Sequence, residues 1–190
     1  NCDCIIDDND RMPLFWSGTP LIHYGFNLEA SWKNFDIYAL LQGAGMYTVQ
    51  FSEVYAEVLW SKGANTPAYF YDRWRKEDPY NPNSKWVAGK WPATRLIQDT
   101  GAMYKDSNIW RRDASYLRLK TLELGYTLPD SILRKSGISN IRFYINGYNL
   151  LTFCDSFVKA FDPEKVEGSY SAGMNYPLTK SFNIGFTANF

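Results

Sequence analysis

The sequence has 190 residues, 45% hydrophobic and 17% aromatic, which is ample for a packed structure and excludes a disordered chain. Its 20 basic and 20 acidic residues cancel, so no net field draws it to nucleic acid or to an anionic membrane surface, and no basic run suggests otherwise. No stretch approaches the roughly 18 consecutive apolar residues of a membrane helix, the best, Ile37 to Met46, being broken by Gln42, Gly43 and Gly45. A mean hydropathy of −0.37 still leaves room for a membrane β-barrel, whose strands are half polar and whose outer loops are wholly so. The chain opens on Asn1 with neither a charged leader nor an apolar run behind it, so any signal peptide was removed or lies upstream.

In chain order, Asn1-Cys-Asp-Cys-Ile-Ile-Asp-Asp-Asn-Asp10 comes first. It spaces oxygen donors like a truncated EF-hand-like calcium loop, with Asn1 and Asp3 as early ligands, then the Ile5 carbonyl, Asp7 and Asp10. Two departures count against it: the first ligand would precede residue 1, and Cys4 stands where the sharp turn wants glycine. A solvated acidic loop is the plainer reading, and calcium is the single candidate cofactor. Cys2 and Cys4 are too close for an easy mutual bridge and Cys154 is distant, so the odd count points to a free thiol. The alternative is a bridge from Cys2 or Cys4 to Cys154 in an oxidising compartment. The lone His23 has no cysteine or carboxylate at ligand spacing and reads as structural.

Tyr24, Phe26, Leu28, Ala30 and Trp32 then alternate with Gly25, Asn27, Glu29, Ser31 and Lys33, which predicts a strand over about 22–33 with one greasy and one polar face. After a tight Lys33-Asn34 turn, Phe35, Ile37, Ala39 and Leu41 oppose Asp36, Tyr38, Leu40 and Gln42, so a second strand over about 35–46 completes a hairpin. Residues 47–114 form a long connection in which Phe51, Val54, Tyr55, Val58 and Leu59 recur at helical spacing and Tyr69 to Arg75 suggest a further short helix.

A third strand is expected over about 115–127, where Leu122, Leu124 and Tyr126 oppose Thr121, Glu123 and Gly125. Its upper half breaks parity, since Leu117 and Leu119 fall with Thr121 while Arg118 and Lys120 fall with Leu122. Either a bulge near Lys120 or a strand rising beyond lipid accounts for that. A fourth strand, about 140–150, sets Ile141, Phe143 and Ile145 against Arg142, Tyr144, Asn146 and Tyr148. A fifth, about 181–190, sets Phe182, Ile184, Phe186, Ala188 and Phe190 against Ser181, Asn183, Gly185, Thr187 and Asn189. Within it, Asn183, Gly185, Phe186, Ala188 and Phe190 resemble the carboxy-terminal signal that outer-membrane barrels present to their assembly machinery.

The connections alternate short, long, short, long, which is the rhythm of a membrane barrel with short periplasmic turns and long external loops. On that scheme about 1–21, 47–114 and 151–180 are extracellular, and the carboxy terminus is periplasmic. Five strands do not close a barrel, and an open edge in hydrocarbon is not viable, so further strands are expected elsewhere.

The more specific signals are whole motifs in order: Trp110-Arg-Arg-Asp-Ala-Ser-Tyr-Leu-Arg-Leu-Lys-Thr-Leu-Glu-Leu-Gly-Tyr-Thr-Leu-Pro129, Ile145-Asn-Gly-Tyr-Asn-Leu-Leu-Thr-Phe153, Asp162-Pro-Glu164, Tyr176-Pro177, and Asp72-Arg-Trp74 ahead of the Pro-Asn-rich Asp78 to Ser84. Together they resemble the carboxy-terminal end of the SusC/RagA-like TonB-dependent outer-membrane transporters, across essentially the whole chain. The resemblance implies a 22-stranded barrel of the plugged type in a Gram-negative outer membrane, with this chain as about its last five strands. It also implies a SusD-like lipoprotein lid, glycans or peptides as cargo, and a TonB complex acting on a segment near the amino terminus. Neither a plug nor that segment is found in this sequence. Family members often carry an aspartate-rich segment at the position of residues 1–10.

Trp60, Tyr71, Trp74, Trp86 and Trp91 crowd the large loop, where flat rings suit a sugar, a lid protein or simply loop packing; packing and lid contact are favoured over substrate. Arg142, Tyr144, Asn146 and Tyr148 are expected to face the lumen, against a plug. No nucleophile elbow, phosphate loop or paired zinc-ligand motif occurs, so no catalytic residue is assigned and the chain reads as no enzyme. The runner-up is a soluble β-sandwich carbohydrate-binding module using its loop tryptophans. The two differ in one respect: a sandwich buries the Phe182 to Phe190 face in protein, whereas a barrel exposes it to lipid.

Overall fold

The computed structural model describes residues 8–51, 66–94, 107–134, 137–165 and 176–190. In chain order its strands are β1 (Ile22–Trp32), β2 (Phe35–Gly45), β3 (Thr48–Gln50), β4 (Arg75–Lys76), β5 (Trp86–Val87), β6 (Arg111–Asp113), β7 (Tyr116–Thr127), β8 (Asn140–Phe153) and β9 (Ser181–Asn189). Two single-turn helices, α1 (Asp130–Leu133) and α2 (Ser156–Lys159), follow β7 and β8. The strands β1, β2, β7, β8 and β9 make one five-stranded sheet in that order, antiparallel throughout. Among the described residues the sheet is open, with β1 and β9 at its edges.

Its register turns five alternating sequences into rows. Residues directly opposite in an antiparallel pair share a face. Trp32, Phe35, Tyr126, Phe143 and Phe186 therefore line up across all five strands as one aromatic row next to the Lys33-Asn34 turn. Above it run Ala30, Ile37, Leu124, Ile145 and Ile184, then Leu28, Ala39, Leu122, Gly147 and Phe182. This face is bare: Ile184 is 87% exposed and Phe182, Phe186, Ile145, Phe143 and Trp32 are all exposed. Among the described residues no second sheet packs on it, so the arrangement a sandwich requires is not the one found.

The broken parity in β7 has a local cause. Leu40 pairs with Thr121 but Leu41 pairs with Leu119, leaving Lys120 as the extra residue of a bulge. An inserted residue flips the alternation beyond it. Leu119 and Leu117 thereby rejoin the apolar face, beside Leu41, Leu151 and Phe153, and Arg118 turns to the polar one, beside Gln42 and Thr152.

The two buried clusters lie at the loop end of the sheet, mostly in the stretches expected to be extracellular loop, with Ala44 of β2 and Tyr116 of β7 contributing from the sheet itself. Ala44, Tyr47, Val49, Phe51, Ala114, Tyr116 and Val158 form one cluster, and Phe70, Trp91 and Trp110 a second, joined through Phe157. Four short strands, β3 to β6, lie inside the 47–114 connection. β3 and β6 continue the β2–β7 ladder past Met46, whose φ of 57° kinks the chain while Ser115 Oγ accepts its N–H at 3.2 Å. Strands of two or three residues are too short for alternation to reveal. The helix expected from Tyr69 to Arg75 is instead a 3-10 helix, Ala68–Asp72, after which the chain extends into β4. Of the helix expected from Phe51 onward, only Phe51 is among the described residues.

Candidate functional site

On the polar face of the sheet the side chains are tied across strands. Arg142 on β8 passes over β7 and forks onto Asp36 of β2, with Nε at 3.1 Å from Oδ1 and Nη2 on Oδ2. The same Nη2 donates to Glu123 Oε1 at 2.8 Å, and Glu123 Oε2 accepts from Asn146 Nδ2 at 3.1 Å. Asn146 Oδ1 in turn accepts from Asn183 Nδ2 of β9 at 2.9 Å. One hydrogen-bonded chain thus runs from β2 to β9. It is possible because Gly125 lies in the path: a Cβ there would fall 2.3 Å from Arg142 Nη2 and 2.5 Å from Asp36 Oδ1. A forked guanidinium–carboxylate contact fixes direction as well as charge.

A second network joins the sheet to the core above it. Arg118 Nη2 meets Asp162 Oδ1 at 2.5 Å, Nη1 meets Glu164 Oε2 at 2.7 Å, and Nε donates to Thr152 Oγ1 at 3.0 Å. The bulged Lys120 adds its Nζ to both Glu164 oxygens, at 2.7 and 2.9 Å. Arg118 and Asp162 are 3% and 4% exposed. Asp162 sits at φ 67°, and its carboxylate also accepts from the backbone N–H of Glu164 and Leu178, so a strained residue is held by its own side chain. Pro163 contributes its carbonyl to the Tyr47 hydroxyl at 2.9 Å. The Asp162-Pro-Glu164 motif is therefore a clasp between the β8–β9 connection and β7. Burial pushes the Tyr47 hydroxyl well above the usual phenol range and raises the Cys154 thiol.

The loop aromatics divide into two groups. Trp91, 4% exposed, is stacked on Trp110 at 5.5 Å and enclosed by Phe70, Tyr69 and Phe157, so a docking ring is not what it offers; it is packing. Tyr71, Trp74 and Trp86 are exposed, and Lys76 Nζ lies 4.7 Å from the Trp86 ring. Trp60 lies outside the described residues. So do Asn1, Asp3, Ile5 and Asp7 of the calcium-like loop, whose remaining donor Asp10 ends a 3-10 turn, Asp8–Asp10. Among the described residues no cluster of three or more metal-ligating side chains occurs.

In the terminal strand, Asn183 bonds Asn146, Phe186 and Phe143 have ring centroids 6.2 Å apart, Ala188 stands opposite Ile141, and Phe190 is exposed. Tyr144 leans over Gly185, where a Cβ would fall 2.5 Å from both Cζ and Oη. Of the four residues expected in the lumen, Arg142 and Asn146 belong to the cross-strand chain, Tyr144 to the Gly185 contact, and Tyr148 is exposed. Sequence reasoning missed the two ionic networks. The parity break at Lys120 and the acidic pair around Pro163 were the only traces of the second.

No family model matches the chain. Among curated proteins it is 31% identical over 183 residues to TonB-dependent receptor P3 of Formosa agariphila, and 29% identical over 206 residues to TonB-dependent receptor P26 of the same organism. These alignments cover 90% and 100% of the chain. Among solved structures, the RagAB peptide importer in its "closed-closed" state superposes with a TM-score of 0.68 at 26% identity over 96% of the chain. The "open-open" state gives 0.65 at 26% identity over 92%. The chain is a carboxy-terminal part of a SusC/RagA-like TonB-dependent receptor. It spans 16% and 19% of the length of the two curated receptors, and 18% of the RagAB chain. Receptors of this family are outer-membrane β-barrel proteins, and the two faces of the sheet match a piece of such a wall.

Proposed function

We propose that the chain forms part of the barrel wall of an outer-membrane nutrient importer, with the Phe182 to Phe190 face against lipid and the Arg142 face toward the lumen. One observation carries this reading: the apolar face is continuous over five strands, uncovered, and bordered by aromatic residues at both ends. Trp32, Phe35, Tyr126, Phe143 and Phe186 mark one end, and Tyr24, Phe26 and Phe153 the other. Trp32 and Tyr24 are eight residues apart on β1, about 26 Å along a strand and about 20 Å of depth at a 40° tilt. Outer-membrane barrels keep an apolar band of similar height between aromatic girdles.

On this reading further strands cover the edges of β1 and β9, within a plugged barrel of 22 strands, and the carboxy terminus is periplasmic. The core above the sheet is extracellular, and Tyr71, Trp74 and Trp86 face a SusD-like lipoprotein lid or the cargo, a glycan or an oligopeptide. The peptide importer among the structural neighbours supports the second class of cargo. The relatives' names support energy supply through TonB. Asn183, Gly185, Phe186, Ala188 and Phe190 serve the assembly machinery as the terminal signal. The work is binding and gating, with no bond made or broken, and the Asn1 to Asp10 loop is left as a candidate calcium site.

The test is isolation of the native receptor from membranes in mild detergent, with co-purifying chains and cargo identified by mass spectrometry. Recovery from the outer membrane with a surface lipoprotein and a bound peptide or glycan is expected. A chain that is monodisperse in water without detergent overturns the reading.

A further inference from the structure

Two separate matches place β9 against β8, one on each face, and they do different work. A slip of one residue would turn Phe182, Ile184 and Phe186 to the polar side, so alternation alone forbids it. A slip of two residues preserves both faces. The apolar side does not oppose it, since Phe182, Ile184 and Phe186 would only exchange places opposite Gly147, Ile145 and Phe143.

The polar side does oppose it. Gly185 stands opposite Tyr144, and the tyrosine ring occupies the space its missing side chain leaves, with an added Cβ 2.5 Å from Cζ and Oη. After a slip of two, Asn183 or Thr187 would bring a Cβ into that space. The ring has little freedom to turn the other way. Its opposite neighbour in the row is also a glycine, Gly125, but the space over Gly125 is filled by the Asp36–Arg142 pair. The Arg142 guanidinium also lies 5.5 Å from the Tyr144 ring centroid. The same slip would part Asn183 from Asn146.

We propose that Gly185 is the register key of the terminal strand. It is the position at which β9 accepts the Tyr144 ring, and it selects one pairing among those that alternation permits. Asn183, through Asn146, is the second tooth of the key. This assigns two residues of the terminal signal a role in the finished sheet, whether or not assembly machinery also reads them.

Cysteine cross-linking in the full receptor, with native cysteines replaced by serine, tests this directly. Ile145→Cys with Ile184→Cys reports the native register; Ile145→Cys with Phe182→Cys or Phe186→Cys reports the slipped ones. With Gly185 intact, only the first pair bridges in high yield. Gly185→Leu lowers that yield several-fold, by slippage or by loss of receptor from the outer membrane, and adding Tyr144→Ala restores it. Full native-pair bridging in Gly185→Leu with Tyr144 present overturns the proposal. So does failure of Tyr144→Ala to restore bridging.

Discussion

Arg118 of β7 and Asp162 of the β8–β9 connection form an ion pair at 2.5 Å with both side chains out of solvent. Each also has further partners: Thr152 and Glu164 for the arginine, the Glu164 and Leu178 amides for the aspartate. Removing one member strands the other charge in a low-dielectric site, at a cost of about 3–5 kcal/mol. Arg118→Met and Asp162→Asn are therefore expected to open the clasp, with trypsin cutting the 154–180 region of the full receptor many times faster than in the parent. The double variant Arg118→Met, Asp162→Asn removes both charges while keeping a side chain that tolerates φ 67° and an amide oxygen to accept a backbone N–H, and is expected to recover part of that protection.

Charge on the bare face is expected to be far costlier than charge on its reverse. Ile184→Arg and Ile145→Arg place a guanidinium near the middle of the apolar rows and cost about 2–4 kcal/mol if that face meets lipid. Ser181→Arg, on the polar face of the same strand, is expected to cost less than half as much. Equilibrium refolding of the full receptor into vesicles measures the difference.

The aromatic residues of the large loop are expected to separate by function. Trp91→Ala removes a stacked, enclosed ring and costs about 3–5 kcal/mol of local stability, read as faster proteolysis of the 66–113 region. Tyr71→Ala, at an 85% exposed position, is expected to change stability by less than about 0.5 kcal/mol. If Tyr71 meets lid or cargo, that variant lowers uptake while its proteolysis pattern stays that of the parent.

Burial is the largest influence on Cys154 and raises its pKa above the ordinary thiol value. Only the thiolate is nucleophilic, so a raised pKa lowers the reactive fraction at neutral pH. Alkylation of Cys154 by iodoacetamide is expected to be slow at pH 7 and to keep rising past the pH at which a free cysteine levels off. Equal rates for Cys154 and a model thiol at pH 7 would contradict that placement.

Much of the sheet was legible because a strand with one lipid-like face and one polar face writes its period of two into the sequence. Tyr24 to Trp32 and Phe182 to Phe190 show it without interruption, and the turn at Lys33-Asn34 separates two such runs cleanly. The bulge at Lys120 showed itself as a parity error, and two explanations were open until pairing partners were known. What sequence could not reveal was anything resting on contacts between distant segments. Arg118 and Asp162 are 44 residues apart, Asp36 and Arg142 are 106 apart, and neither pair has a local pattern that announces its partner. The loop core was equally hidden, because Phe70, Trp91 and Trp110 are packed by tertiary contacts that no periodicity in irregular chain records. Nor could sequence divide Trp91 from Tyr71, since both are aromatic residues in a loop and only burial tells them apart.

In the proposed barrel wall the Ile184 face lies against lipid and the Asn183 face does not. Single cysteines at Ile184, Ile145, Asn183 and Asn146 of the full receptor, each carrying an environment-sensitive fluorophore, can be compared in vesicles of brominated and ordinary lipid. Strong quenching by brominated acyl chains is expected at Ile184 and Ile145, with little at Asn183 and Asn146. Equal quenching at all four positions, or quenching only by an aqueous reagent, would contradict it.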